Sequence, residues 1–138
     1  RQKMNFMSVF IEAVEDDRVM VQLANGTTFW IPVDGRTVTR GERMSLGVRP
    51  EHLLPADQGD AAIEGEVNIV EKLGNETQVY MHIDAADADM IYRQPDTLAV
   101  EAGDKLMVGI PAHRCHLFHS DGKACRRLYK EAGVDFEA

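Results

Sequence analysis

One eight-residue pattern occurs twice in this chain. Gly41-Glu-Arg-Met-Ser-Leu-Gly-Val48 matches Gly103-Asp-Lys-Leu-Met-Val-Gly-Ile110 position by position, 62 residues apart. Each copy runs from a glycine through an acid and a base into an apolar stretch with a second glycine, which reads as a strand entered through a tight turn. Apolar or small residues throughout 44–48 suit a strand covered on both faces. Hairpin signals precede both copies. Residues 9–14 and 19–23 alternate around Asp16-Asp17, while 67–71 and 78–83 flank Gly74-Asn75. The chain therefore divides into two similar β units, about 4–55 and 61–119, with a tail at 120–138. Two such copies are expected to complete one another's sheets rather than fold separately.

The architecture expected is all-β, in one domain of tandem OB-like barrel units with little helix. Asn25-Gly26 marks a second turn in the first unit, because both residues tolerate positive φ, and 28–33 returns as a third strand. Pro50 has no N–H for a ladder, so the strand at 44–48 ends there. Arg49 and Glu51, two apart in extended chain, then point to one side. Residues 110–118 read as a strand that sends Cys115 and His116 to opposite faces. Helical turns are expected at 84–90 and at 126–132, the latter stopped by Gly133, and 134–138 is expected to fray.

The net charge of −8 is unevenly spread. Residues 1–60 carry 7 basic and 9 acidic groups, 61–110 carry 3 and 10, and 111–138 carry 5 and 4. An acidic middle repels phosphate backbones and anionic membrane surfaces, which argues against a nucleic-acid binder. No run approaches the length of apolar chain that a membrane span needs. The opening Arg1-Gln-Lys-Met-Asn5 has no apolar signal region, and a start on Arg suggests a fragment. Cys115 and Cys125 are too few for a disulfide framework and fit a reducing compartment. Asn25-Gly-Thr27 and Asn75-Glu-Thr77 match the glycosylation pattern and are expected to be inert turns.

Catalytic and metal signals are weak. No phosphate-binding loop of the Gly-x-x-x-x-Gly-Lys-Ser/Thr or Gly-x-Gly-x-x-Gly kind occurs, so this chain alone should not hydrolyse ATP. His113, Cys115, His116, His119 and Cys125 have ligand chemistry but no standard zinc spacing, and a buried Cys115 is the preferred reading. Nothing resembles an activated nucleophile. Glu64, Glu66, Glu71 and Glu76 read as a solvated strand face beside a buried row of Val67 and Ile69, with a partner contact left open. Trp30, within Phe29-Trp30-Ile31, either packs against the other unit or anchors a partner protein, and Phe118 presents the same choice. Gly47 and Gly109, equivalent in the repeat, imply a bulge or a close approach, and Gly65 sits similarly before its strand.

The blocks at 44–55, 65–77, 114–118 and 124–128 resemble the C-terminal regulatory (TOBE/OB-like) domain of the MalK family, the ATPase subunits of bacterial maltose/maltodextrin ABC importers. The resemblance runs from about Met4 to Val134, and the stretch 84–89 departs from the family pattern. It implies the same β fold and a regulatory, dimer-stabilising role without catalysis, catalytic residues, cofactor or metal in this chain. ATP and Mg would belong to a preceding ATPase domain that is missing here. The implied partners are a second copy of the full-length subunit, the transporter membrane subunits reached through the missing domain, the glucose-specific IIA protein and the maltose transcriptional activator. The implied location is cytoplasmic, peripheral on the inner membrane. Matching positions carry over Phe6, Trp30, Gly41, Gly65, Glu71, Gly103, Gly109 and Phe118 as partner-binding residues. Related tandem modules of the MOP type bind oxyanions, and Gly74-Asn-Glu-Thr77 is the turn that would serve that alternative.

Overall fold

A computed structural model describes residues 3–95, 98–131 and 134–135. The hairpin signals form where the alternation places them. Strands β1 (Asn5–Glu15), β2 (Arg18–Gln22) and β3 (Thr28–Ile31) make a meander, and β4 (Arg43–Val48) is the first repeat copy. After the short β5 (Leu54–Pro55) come β6 (Ala61–Leu73), β7 (Glu76–His82) and β8 (Met90–Gln94), then the second copy as β9 (Lys105–Ile110). Strand β10 (His116–Phe118) follows, and β11 (Lys130–Glu131) pairs with β12 (Val134–Asp135). The main strands form two curled antiparallel sheets of five, ordered β10-β4-β1-β2-β3 and β5-β9-β6-β7-β8. The all-β expectation of OB/MOP-type units holds.

Each sheet is completed by a strand from the other half of the chain, and the exchange is reciprocal. His116 and Leu117 of β10 lie opposite Gly47 and Leu46, while Leu54 and Pro55 of β5 lie opposite Gly109 and Val108. Adding 62 to residues 54 and 55 gives 116 and 117, and subtracting 62 from 109 and 108 gives 47 and 46. The crossovers match too, with 3-10 turns at Pro50–His52 and Ala112–Arg114. Pro50 and Pro111, which cannot donate to a ladder, stand at these two exits.

The repeated Gly-acid pair has a structural cause. Strand β1 bulges between Ile11 and Ala13, and β6 bulges between Val67 and Ile69. Gly41 donates to Ile11 O at 2.8 Å while Ile11 donates to Glu42 O at 3.0 Å. Gly103 and Asp104 treat Val67 identically, at 2.8 Å in both bonds. The two glycines have φ of +90° and +94°, where a side chain is strained. The Glu42 and Asp104 carboxylates accept from Thr39 and Glu101 N–H, closing each turn. So the turn preceding each copy docks onto the bulge of that copy's hairpin.

One apolar cluster draws on both sheets, including Val9, Ile11, Ile31 and Leu46 from the first and Ile63, Val79, Met81 and Val108 from the second. Four local expectations change on this scaffold. The bulge at Asn68 inverts the alternation of β6, so Val67 is buried while Ile69 is 53% exposed. Strand β4 is covered on both faces only at 46–48, Ser45 being exposed. Arg49 and Glu51 are not alternate residues of a strand, because Pro50 opens a 3-10 turn. Residues 110–118 are likewise broken by the turn at Ala112–Arg114, and both Cys115 and His116 are buried.

Neither expected helical turn forms. Residues 84–89 are irregular, with Ala85 at φ +66°, and Ala85 O accepts from Ser8 N–H at 2.8 Å. Residues 126–128 are extended, Arg127 bridging Val33 with bonds from Asp34 N–H to Arg126 O and from Leu128 N–H to Pro32 O. Backbone partners supplied by β1 and by 32–34 outweigh a weak local helix preference. Gly133 lies outside the described residues; of the 134–138 tail, Val134–Asp135 is paired.

Candidate docking face

Strand alternation gives the first sheet an outer face of large side chains. Phe6 and Phe10 on β1, Met20 on β2, Trp30 on β3 and Phe118 on β10 all point away from residues buried on the inner side. Phe6 is 46% exposed and meets Phe118 edge-on, with ring centroids 5.6 Å apart. The buried His116 ring stacks on Phe118 at 6.2 Å. Beneath them lies Gly47. A Cβ there would stand 2.5 Å from Met4 Sδ, 3.1 Å from Phe118 and 3.2 Å from Phe6. The missing side chain is what lets these groups close over the strand. Arginines frame the same face, Arg18 lying 3.8 Å over the Trp30 ring and Arg43 5.9 Å from that of Phe10.

Of the eight residues carried over by resemblance, Phe6 and Phe118 are brought into contact although 112 positions separate them (118 minus 6). Trp30 shares their face at the opposite edge strand. Gly41 and Gly103 sit in the two bulge-docking turns. Gly65 is buried, with Ile83 and Met81 atoms 2.9 Å from where a Cβ would be, and Gly109 faces Pro55 O at 2.6 Å on the same measure. Glu71 lies on the second sheet, where it accepts from the Tyr80 hydroxyl at 3.0 Å and from Gln78 Nε2 at 3.3 Å. Exposed Ile69 and Leu73 flank it along β6. The eight residues therefore do not form one site. Sequence reasoning left Met4, Phe10, Met20, Arg43 and Gly47 out of the face; the alternation of β1 and β4 was the available signal.

Around His119 the polar groups satisfy one another. His119 joins the tail to the Gly41 turn, its Nδ1 standing 2.8 Å from Glu42 Oε2 and its Nε2 3.1 Å from Thr37 Oγ1. The Thr39 N–H, and then His119, hold the Glu42 carboxyl below its usual range against the opposing effect of desolvation. Cys125 Sγ is 3.9 Å from His119 Nε2, and burial pushes its thiol up to about 11. Burial raises the Cys115 thiol further, and that thiol donates to Pro111 O. Neither cysteine has the character of a nucleophile. Among the described residues no group of three or more His, Cys, Asp or Glu could hold a metal ion. In the turn considered for oxyanions, Glu76 pairs with Arg93 at 3.1 Å and Thr77 is buried, its hydroxyl accepting from Leu98 N–H. No described helix is long and apolar enough to cross a membrane.

The reciprocal exchange and the sequence between its two crossing points define the class. The TOBE domain family matches residues 46–118, more than half of the chain, running from β4 to the strand that pairs with it, and the chain belongs to that family. Among curated proteins it is similar to the maltose/maltodextrin import ATP-binding protein MalK of Vibrio cholerae, 78% identical over 136 residues. It is 75% identical over 132 residues to the protein of that name in Photobacterium profundum and 49% over 132 in Yersinia pestis. These matches take in 99%, 96% and 96% of this chain but 36% of each relative, so the chain spans about a third of their length. The region matched is their C-terminal, non-catalytic domain. Among solved structures, the cytoplasmic molybdate-binding protein ModG with molybdate bound aligns at a TM-score of 0.64. It covers 82% of this chain and 94% of its own at 15% identity, a likeness of fold alone.

Proposed function

We propose that this chain is the regulatory and dimer-stabilising domain of the ATP-binding subunit of a maltose/maltodextrin importer. In this reading it acts as one domain of two β units, 4–55 and 61–119, with a tail at 120–138. It follows an ATPase domain that binds ATP and Mg and reaches the membrane subunits from the cytoplasmic side. Its own part is to hold two subunits together and to receive regulators: the unphosphorylated glucose-specific IIA protein and the maltose transcriptional activator. A docked IIA protein would keep the paired subunits from closing on ATP, which stalls transport without any chemistry in this domain.

The observation that carries the docking part is the aromatic face of the first sheet, where Phe6 and Phe118 meet over Gly47. Half-exposed aromatics framed by arginines are the residue types that dominate protein interfaces. The test is a titration of the chain with unphosphorylated IIA protein, followed by calorimetry and by Trp30 fluorescence. Saturable binding that Phe6→Ala weakens about tenfold or more, and that phosphorylation of IIA abolishes, is the expected result. Binding unchanged by Phe6→Ala would remove this face from the reading.

A further inference from the structure

We propose that the cavity at the seam between the two sheets binds a small organic cation, an ammonium group carried on an apolar body. The cavity holds about 380 Å³ and draws its walls from both halves of the chain. Met7 of β1 and Leu23, next after β2, line it together with Ile63 of β6 and Ile83, next after β7. These four are 4–5% exposed, where Val9, Val21 and Val108 of the same apolar cluster are fully enclosed. The core therefore reaches open space here, and it does so through aliphatic and thioether side chains. Concave, mostly apolar walls with a few polar groups are the usual make-up of a small-molecule site.

Two ties fix the walls. Asn25 Nδ2 donates to Ala62 O at 3.1 Å and Asn25 Oδ1 accepts from Thr27 N–H at 3.0 Å, which fastens the hairpin tip at 24–27 to β6. Ser8 N–H, on the wall supplied by β1, donates to Ala85 O at 2.8 Å, and Ala85 is held at φ +66°. A left-handed backbone at a residue with a side chain costs energy and persists only where its surroundings impose it. Its neighbour Asp84 is thereby set at the rim. Walls fixed before binding leave less ordering entropy to oppose it.

The charge at the rim sets the sign of the ligand. Glu64 of β6, opposite Met107 of β9, lines the cavity, is exposed, and among the described residues makes no ion pair. Asp84 has His82 at 3.6 Å, which is neutral unless its imidazole is protonated. Lys105, the cation of β9, is paired with Glu66 at 3.4 Å. Residues 61–110 carry 3 basic and 10 acidic groups, so the surrounding potential also favours a cation. A bare metal ion needs several converging ligands, and among the described residues no group of three or more His, Cys, Asp or Glu could hold one. An amine with an apolar body fits instead: the body takes the apolar floor out of water while the charge stays at the wet rim. The cavity lies apart from the aromatic face and does not depend on the importer reading.

The test titrates this chain with benzylammonium, beside benzyl alcohol and phenylacetate at equal ionic strength. Calorimetry reads affinity, and the methyl spectra of Met7, Ile63, Ile83 and Met107 read location. Expected are half-saturation at about 5 mM or below, the range open to so small a probe, and shifts at those methyls. The alcohol should bind about threefold more weakly, and phenylacetate more weakly still. Glu64 is exposed, so Glu64→Gln should keep the fold and weaken benzylammonium about threefold. Glu66→Gln removes a charge from the same strand outside the cavity and should leave binding unchanged. No saturation, the alcohol or the carboxylate binding as tightly as the amine, shifts confined to Phe6 and Phe118, or Glu64→Gln behaving like the parent or like Glu66→Gln would each overturn the assignment.

Discussion

The side-chain amide of Asn5 bonds to both main-chain groups of Ile91. Asn5 Nδ2 donates to Ile91 O and Asn5 Oδ1 accepts from Ile91 N–H, each at 2.8 Å. Asn5 is buried at the start of β1, and Ile91 lies in β8, the last strand of the other sheet. An amide has the donor and acceptor of a peptide group, so Asn5 takes the place of a neighbouring strand at that point. It blocks an open edge and ties the two sheets together.

Asn5→Leu keeps the volume and removes both bonds, leaving the Ile91 N–H and C=O without their partner. The expected loss is about 2–4 kcal/mol of unfolding free energy. Urea unfolding checks it: the midpoint should fall with the slope unchanged. A loss below about 0.5 kcal/mol would mean that water replaces the amide without cost.

Gly47 and Gly109 are equivalent in the repeat but not in what surrounds them. A Cβ on Gly109 would meet backbone, Pro55 O at 2.6 Å and Gly59 N at 3.0 Å, which cannot move without opening the β5–β9 pairing. A Cβ on Gly47 would meet side chains that can shift. Gly109→Ala should therefore cost about 2–3 kcal/mol and Gly47→Ala about 1 kcal/mol or less. Thermal unfolding of the two variants reads the difference, and equal losses would contradict the contrast. Gly47→Ala should also alter the environments of Phe6 and Phe118, visible in their ring proton shifts.

Asp34 gives the acid limb a specific component. Its carboxylate accepts from Arg36 Nη2 at 2.7 Å and from Arg36 Nε and backbone N–H at 3.0 Å. The side-chain hydrogen bond from Arg36, and then the backbone one, hold its pKa at about 2, below the ordinary 3.8. A folded pKa depressed in this way stabilises the fold above about pH 4, and the contribution is lost as pH falls toward 2. Asp34→Asn should flatten the dependence of stability on pH over that window and leave its shape above pH 5 unchanged. Chemical denaturation at a series of pH values tests this, and an unchanged acid limb would rule it out.

How much was legible in the sequence differs from element to element. The hairpin turns at 16–17, 25–26 and 74–75 were read correctly because their cause is local. The repeat announced two similar halves, and Pro50 marked where the first copy's strand ends, whereas 110–118 was read as one strand although Pro111 ends the second copy's. Ile69 was misread because one inserted residue, Asn68, reverses the parity of the strand and leaves no trace in composition. The weak helical turns at 84–90 and 126–132 were misread because their carbonyl and amide groups find partners on distant strands.

Sequence by itself determined the all-β class, the strand boundaries near turns and prolines, and the likeness to one family of importer subunits. Those properties depend on short-range sterics, on side-chain periodicity, or on residue identity. Only the tertiary structure decided that Phe6 stands against Phe118, that Asn5 closes the edge at Ile91, and that Met7 and Ile63 line one cavity. The first depends on β10 crossing into the first sheet, and each places residues far apart in sequence side by side. Spacing along the chain carries no record of which sheet a crossing strand joins, because that choice is made by packing and hydrogen bonding in the folded state.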